Sequence, residues 1–265
     1  MAVSEIQVDA GEVAGQLLRI WWPLLRVSGF MLVAPVLGSS MVPRTVRIVL
    51  SVALALMLAP FASVPRDLSI FSAAGVLASV NQLLIGIAIA LVVQLVFDAL
   101  ALAGQTTSMT MGLGFATLVD PQRGANTAVL GQMFTIFGTL AYLSVDGHLR
   151  LIGTLAHSFQ TIPVVADGLG GGLLGAVPAW GARVFEAGLL IALPVTVALL
   201  IVNLALGVVT RAAPQLNLFG IGFPITMLAG FFTLMAGLDS LIGGMLNLLQ
   251  DALQTAAGLV DMGVH

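Results

Sequence analysis

The chain has 265 residues, 59% hydrophobic and only 8% charged. Soluble domains carry roughly 25% charged residues, and several uncharged stretches here exceed the ~18 residues of a membrane helix. An ordinary soluble fold is therefore excluded, and the sequence reads as an all-α, polytopic integral membrane protein. The net charge is -3. Every basic residue is Arg, and they are scattered singly, so no basic patch exists to neutralise the phosphates of a nucleic acid. The absence of cysteine removes disulfides, thiolate metal sites and Cys nucleophiles from consideration.

The first sixteen residues carry Glu5, Asp9 and Glu12 and no basic residue. A cleavable signal peptide has the opposite charge, so this is an acidic lead-in. Residues 17–37 form the first apolar segment, interrupted by Arg19 and Arg26, which share a helix face at a spacing of seven. Trp21 and Trp22 suit an interfacial depth, and Pro23 is a site for a kink. The segment reads as a helix packed in protein or lying near the interface. Pro35, Gly38 and Pro43 mark a turn. Residues 48–64 follow as a short second helix, with Arg44 and Arg47 placing the preceding turn on the cytoplasmic side. The uncharged run 68–97 would span about 45 Å as one helix, more than a hydrocarbon core of about 30 Å. It must tilt, break or leave the bilayer.

Residues 104–126 read GQTTSMTMGLGFATLVDPQRGAN. Glycines and hydroxyl residues are mixed there with Met109, Met111, Leu113 and Phe115. Gly112 and Gly114 each weaken a helix by about 1 kcal/mol relative to Ala, so an irregular segment is expected. Such backbone survives at membrane depth only where protein buries it or a cavity exposes it. Two uses are open for its Met and Phe side chains: plain core, which Met fills readily, or a compliant apolar seal in a passage. Residues 124–145 form a further helix with Gly131, Thr135 and Gly138 near one face, suited to close packing. Residues 151–162 are short and interfacial in character, and 163–178 are Gly-rich and expected to be flexible. Two long helices follow, 183–209 with Glu186 and Pro194, and 225–249 with Asp239. Between them lies a polar, proline-bounded hairpin turn holding Arg211, Pro214, Gln215, Asn217, Phe219 and Pro224. The tail from residue 250 is mildly amphipathic.

Little catalytic chemistry is available. The absence of Lys rules out a P-loop and a Ser-Lys dyad, and no HExxH occurs. His148 and His157 lack the i, i+4 spacing of two ligands on one helix, and His148 is better suited to capping the turn before it. No nucleophile–base pair stands out, so neither an enzyme nor a cofactor is expected. The charges within apolar segments, Arg19, Arg26, Asp98, Glu186 and Asp239, are expected to be buried. The acids have three open roles: pairing with a buried Arg, lining an ion or proton pathway, or sitting at exposed helix ends. A secondary transporter built on them is the competing reading, although no internal repeat supports it.

Four blocks, in order, resemble the FliR family of type III export-gate subunits: residues 26–60, GQTTSMTMGLGFATLVDPQ at 104–122, DGHLRLIGTLAHSFQTIP at 146–163 and RAAPQLNLFGIGFP at 211–224. The wording MGLGFATLVDP is closer to the flagellar than to the injectisome branch. The resemblance implies a non-enzymatic channel subunit of the flagellar basal body in the bacterial inner membrane. Its partners would be several FliP-like and FliQ-like subunits in a helical, closed assembly, with an FlhB-like subunit on the cytoplasmic side. Unfolded flagellar proteins would be the cargo. It further implies a FliP-like part at 1–176, with a central plug loop at 104–124, joined to a FliQ-like hairpin at 177–265. By the same resemblance Met109, Met111, Gly112, Leu113, Gly114 and Phe115 belong to the plug, which Asp120 and Pro121 end.

Overall fold

A computed structural model describes residues 10–39, 41–63, 65, 68–113, 129–164, 171–212 and 222–262. Among them every regular element is helical: α1 (Ala10–Val33), α2 (Arg44–Leu58) with a 3₁₀ turn at Ala59–Phe61, α3 (Ala73–Thr110), α4 (Val129–Ser144), α5 (Gly147–Thr161), α6 (Gly171–Ala212), α7 (Phe223–Ala236) and α8 (Leu238–Met262). Among the described residues three stretches are long and apolar enough to cross a membrane: Arg44–Phe61, Ala73–Thr110 and Gly175–Ala212. Two bent pairs, α4 with α5 at 65° and α7 with α8 at 63°, bring the total to five if each is one broken span.

The helices run further than local propensity predicts. α1 passes through Pro23 without ending. α3 has 38 residues and takes in 104–110, so the expected irregular segment is helical over its first seven positions. The reason is packing: Gly104 lies directly against the backbone of Leu130 and Gly131 on α4, a contact that no residue with a side chain permits. α6 begins at Gly171 and includes Pro178 and Pro194. The later part of the expected Gly-rich loop is therefore helix, while its residues 165–170 lie outside the described residues. The last expected helix is instead two, broken at Gly237, whose N–H bonds back to Thr233 O at 3.0 Å. Residues beyond 249 continue α8 to Met262.

The chain forms two compact units. The first comprises Met1–Gln94, Leu149–Pro178 and Leu253–His265. Its centre is the crossing of α1 with the first half of α3. Gly29 sits on the carbonyl of Leu83, and Gly86 sits on the carbonyl of Arg26. Two side-chain-free positions thus bring two backbones into contact, as in small-residue membrane interfaces. Trp22 is fully buried there with Ala78 and Val164, so its ring belongs to the core and not to an interfacial belt. Trp21, at 38% exposure, faces outward.

The second unit comprises Leu95–His148 and Ala179–Ala252. In it the second half of α3 packs against α4: Gly138 meets Leu100 Cδ1, and the rings of Phe97 and Tyr142 make an edge-on contact at 5.7 Å. α6 lies against the same helix, with Gly188 on Ala99 and Gly181 near Leu95 Cδ1. α4 and α5 meet at Asp146, which takes φ 54°, a left-handed conformation that Asp tolerates better than most residues.

Candidate functional site

Two constructions stand out, one in each unit. The first surrounds Arg26, which is fully buried. Its Nε donates to Gln82 Oε1 at 2.7 Å, Nη1 to Ser158 O at 2.6 Å and Ser158 Oγ at 3.0 Å, and Nη2 to Ile162 O at 2.7 Å. The guanidinium also lies 4.3 Å over the ring of Phe159. Among the described residues, the oxygens that receive Arg26 are neutral. Two of them stand at the C-terminal end of α5, where the helix dipole favours a cation: Ser158 O, which also accepts the Ile162 N–H at 3.0 Å, and Ile162 O just past the last turn. The ring face adds a further attraction. Burial pushes the Arg26 guanidinium down from its ordinary value, to about 9, which leaves it charged at neutral pH. A buried positive charge in an apolar segment thus acts as a three-helix clasp joining α1, α3 and α5.

The second construction is the end of α3. Leu113 N–H donates to Ser108 O and Gly112 N–H to Met109 O, both at 3.0 Å, and Gly112 has φ 82°. This is the Schellman arrangement, in which a left-handed glycine closes a helix. Gly112 therefore stops α3 at a fixed point. Met109 is 62% exposed, whereas Met111 is completely buried. Gly112 and Leu113 are half-buried. Gly114 and Phe115 lie outside the described residues.

At the hairpin, Arg211 is exposed in the last turn of α6, a favourable place for a cation. Pro224 is exposed in the first turn of α7, where its missing N–H costs nothing. Pro214, Gln215, Asn217 and Phe219 lie outside the described residues. So does the side chain of Arg19.

The acids are placed differently from expectation. Asp98, Glu186 and Asp239 are all exposed on this chain, so the chain by itself buries only Arg26 of the charges described. The physical reason is that α3, α6 and α8 each turn one face away from their own neighbours, and these acids lie on those faces. His148 does not cap the preceding turn: it sits in the first turn of α5, and its Nδ1 is buried without a hydrogen-bond partner. His157 instead meets Asp261 at 3.3 Å, on the surface.

Sequence reasoning missed Gln82, Ser158, Thr226 and Gly230. Gln82 had a usable signal, being an amide inside a long uncharged run, where a buried polar group requires a partner. Gly230, isolated in an apolar helix, also carries one, since such a glycine usually has a packing reason. Ser158 and Thr226 have none, because hydroxyl residues in membrane helices commonly bond to their own backbone.

Long apolar helices, two pairs of them bent at short breaks, and a buried arginine clasp define a polytopic helical membrane protein. Residues 17–252 match the family of bacterial export proteins, family 1. The chain is 39% identical over 238 residues to the flagellar biosynthetic protein FliR of Escherichia coli (strain K12), covering 89% of this chain and 90% of that protein. It is 39% identical over 216 residues to FliR of Pectobacterium carotovorum subsp. carotovorum, covering 82% of each. With FliR of Aquifex aeolicus (strain VF5) it shares 32% identity over 236 residues, covering 89% of this chain and 91% of that one. The chain belongs to the FliR family, and its role lies in the flagellar export apparatus.

Proposed function

We propose that the chain is a channel-forming subunit of the flagellar type III export gate, set in the inner membrane at the basal body. It joins FliP-like and FliQ-like subunits, contacts an FlhB-like subunit, and forms part of the passage for unfolded flagellar proteins. Residues 1–176 act as the FliP-like part and 177–265 as the FliQ-like hairpin. The segment containing Met109, Met111, Gly112, Leu113, Gly114 and Phe115 helps to seal the passage at rest.

The observation that carries this reading is α6. It has 42 residues, about 63 Å at 1.5 Å per residue, and its outward positions are large and apolar, among them Phe185, Leu189, Leu200 and Leu204. A bilayer core of about 30 Å covers roughly half of it. The large exposed apolar positions of α6 run from Phe185 to Val209, somewhat longer than such a core for an untilted helix, which favours cover by other protein at one end. A subunit of a large helical assembly supplies that cover.

Native mass spectrometry of gently extracted complexes is the first test. One copy of this chain with multiple copies of two other small hydrophobic subunits is expected. A lone chain that takes up small solutes in liposomes would instead establish a transporter. The sealing role is tested separately: deletion of residues 112–115 should leave an assembled complex that leaks ions or small dyes. A complex as tight as wild type removes the sealing assignment.

A further inference from the structure

The end of α3 is fastened to α7 at Met111, inside the segment proposed to seal the passage. Met111 is fully buried, two residues after the exposed Met109. A side chain that lines a passage is accessible from it, whereas a fully buried one is committed to packing. Its seat is Gly230 on α7. A Cβ at that position would lie 2.6, 2.7 and 2.8 Å from Met111 Cγ, Cε and Sδ, distances that real carbon contacts do not reach. The seat exists because residue 230 has no side chain. One turn earlier on the same helix, Thr226 Oγ1 donates to Phe223 O at 3.0 Å and lies 3.4 Å from Met111 O. The backbone carbonyl and the thioether of one residue therefore both rest on α7. The left-handed Gly112 follows at once, so the chain leaves this contact in a fixed direction.

We infer that Met111 is a positioning residue, anchoring the base of the sealing segment to α7 through the side-chain-free seat at Gly230, and is not part of the seal itself. This rests on the sealing role proposed above. It makes α7, in the C-terminal hairpin, the support against which that segment is held.

Size exchange tests the anchor. Gly230→Leu is expected to unseat Met111 and raise dye leak roughly tenfold or more, since overpacking a buried contact shifts the balance of seated and unseated forms by that order. The amount of assembled complex should match wild type. Gly230→Ala should act in the same direction more weakly, although Ala is the better helix former, so weakening of α7 does not account for the leak. Met111→Ala combined with Gly230→Leu returns bulk to the contact from the other side and should restore tightness, which a general folding defect would not. If deletion of residues 112–115 leaks while Gly230→Leu assembles and stays tight, the anchor is wrong and the seal stands. If the deletion itself stays tight, the sealing reading falls and the role given to Met111 falls with it.

A second measurement does not depend on leak. The chain has no cysteine, so Met111→Cys with Gly230→Cys introduces the only two thiols. Mild oxidation in native membranes should join them, seen as a gel-mobility shift that reductant reverses. Failure to form that disulfide in normally assembled complexes would overturn the contact.

Discussion

At the scale of single residues, the described part of the chain buries one charge and makes it structural. Arg26 supplies three nitrogens to four oxygens on α3 and α5 and just beyond α5. Ser158 takes part because its own hydroxyl proton goes to Leu155 O at 2.6 Å, leaving Oγ free to accept. Replacing Arg26 by Leu would keep much of the bulk and strand Gln82 Oε1 and Ile162 O, whereas Ser158 O keeps the Ile162 N–H at 3.0 Å. Each unsatisfied buried polar group costs about 1–3 kcal/mol, so Arg26→Leu should lower the stability of the detergent-solubilised protein by at least about 2 kcal/mol. Arg26→Lys should lose less, since it keeps the charge at the end of α5 but lacks the planar fork. Thermal unfolding midpoints decide it: equal midpoints for wild type and Arg26→Leu would mean that the clasp contributes nothing.

At the scale of helices, the same residue type takes opposite roles according to what faces it. Gly29 and Gly86 each hold a neighbouring backbone carbonyl where a Cβ would stand, whereas Gly153 on α5 has open space around it. Gly86→Ala should therefore force α1 and α3 apart at a cost of about 1–3 kcal/mol. Gly153→Ala should instead stabilise by up to about 1 kcal/mol through helix propensity alone. Opposite shifts in unfolding midpoint are expected, and shifts of the same sign would contradict the close α1–α3 crossing. These contrasts also show what the sequence could convey. The existence of the long helices followed from uncharged runs such as 68–97, and the small face of Gly131 and Gly138 pointed correctly to close packing. Helix ends were less legible. Propensity argued against helix at 104–110 and after Gly171, yet packing against α4 and continuity with α6 override it there. Propensity weakens the helix at Gly237 but did not single it out, since Gly230, Gly243 and Gly244 lie inside helices. The partition of the charges was hidden for another reason: burial depends on which face of a helix meets its own chain, and a single sequence does not say that Arg26 turns inward while Asp98, Glu186 and Asp239 turn outward.

At the scale of the whole molecule, the decisive quantity is the apolar surface that the chain leaves uncovered. Phe185, Leu193, Leu200 and Val208 are 60%, 43%, 59% and 67% exposed, and from Phe185 to Val208 the helix advances about 35 Å. That distance alone exceeds a hydrocarbon core of about 30 Å, and α6 continues beyond it at its N-terminal end. An untilted helix would therefore leave some of these positions outside lipid, and the assembly proposed above would supply protein to cover them. A photo-crosslinking side chain placed in turn at these four positions measures which neighbour each one has. The substitutions fall on exposed sites and should not disturb the chain's own packing, since surface replacements usually change stability by less than about 0.5 kcal/mol. Adducts to other protein subunits are expected along most of the helix, with lipid adducts confined to a stretch no longer than one bilayer core. Lipid adducts at all four positions, with no protein adduct, would mean that α6 is an ordinary membrane helix and that the chain works without the assembly proposed for it.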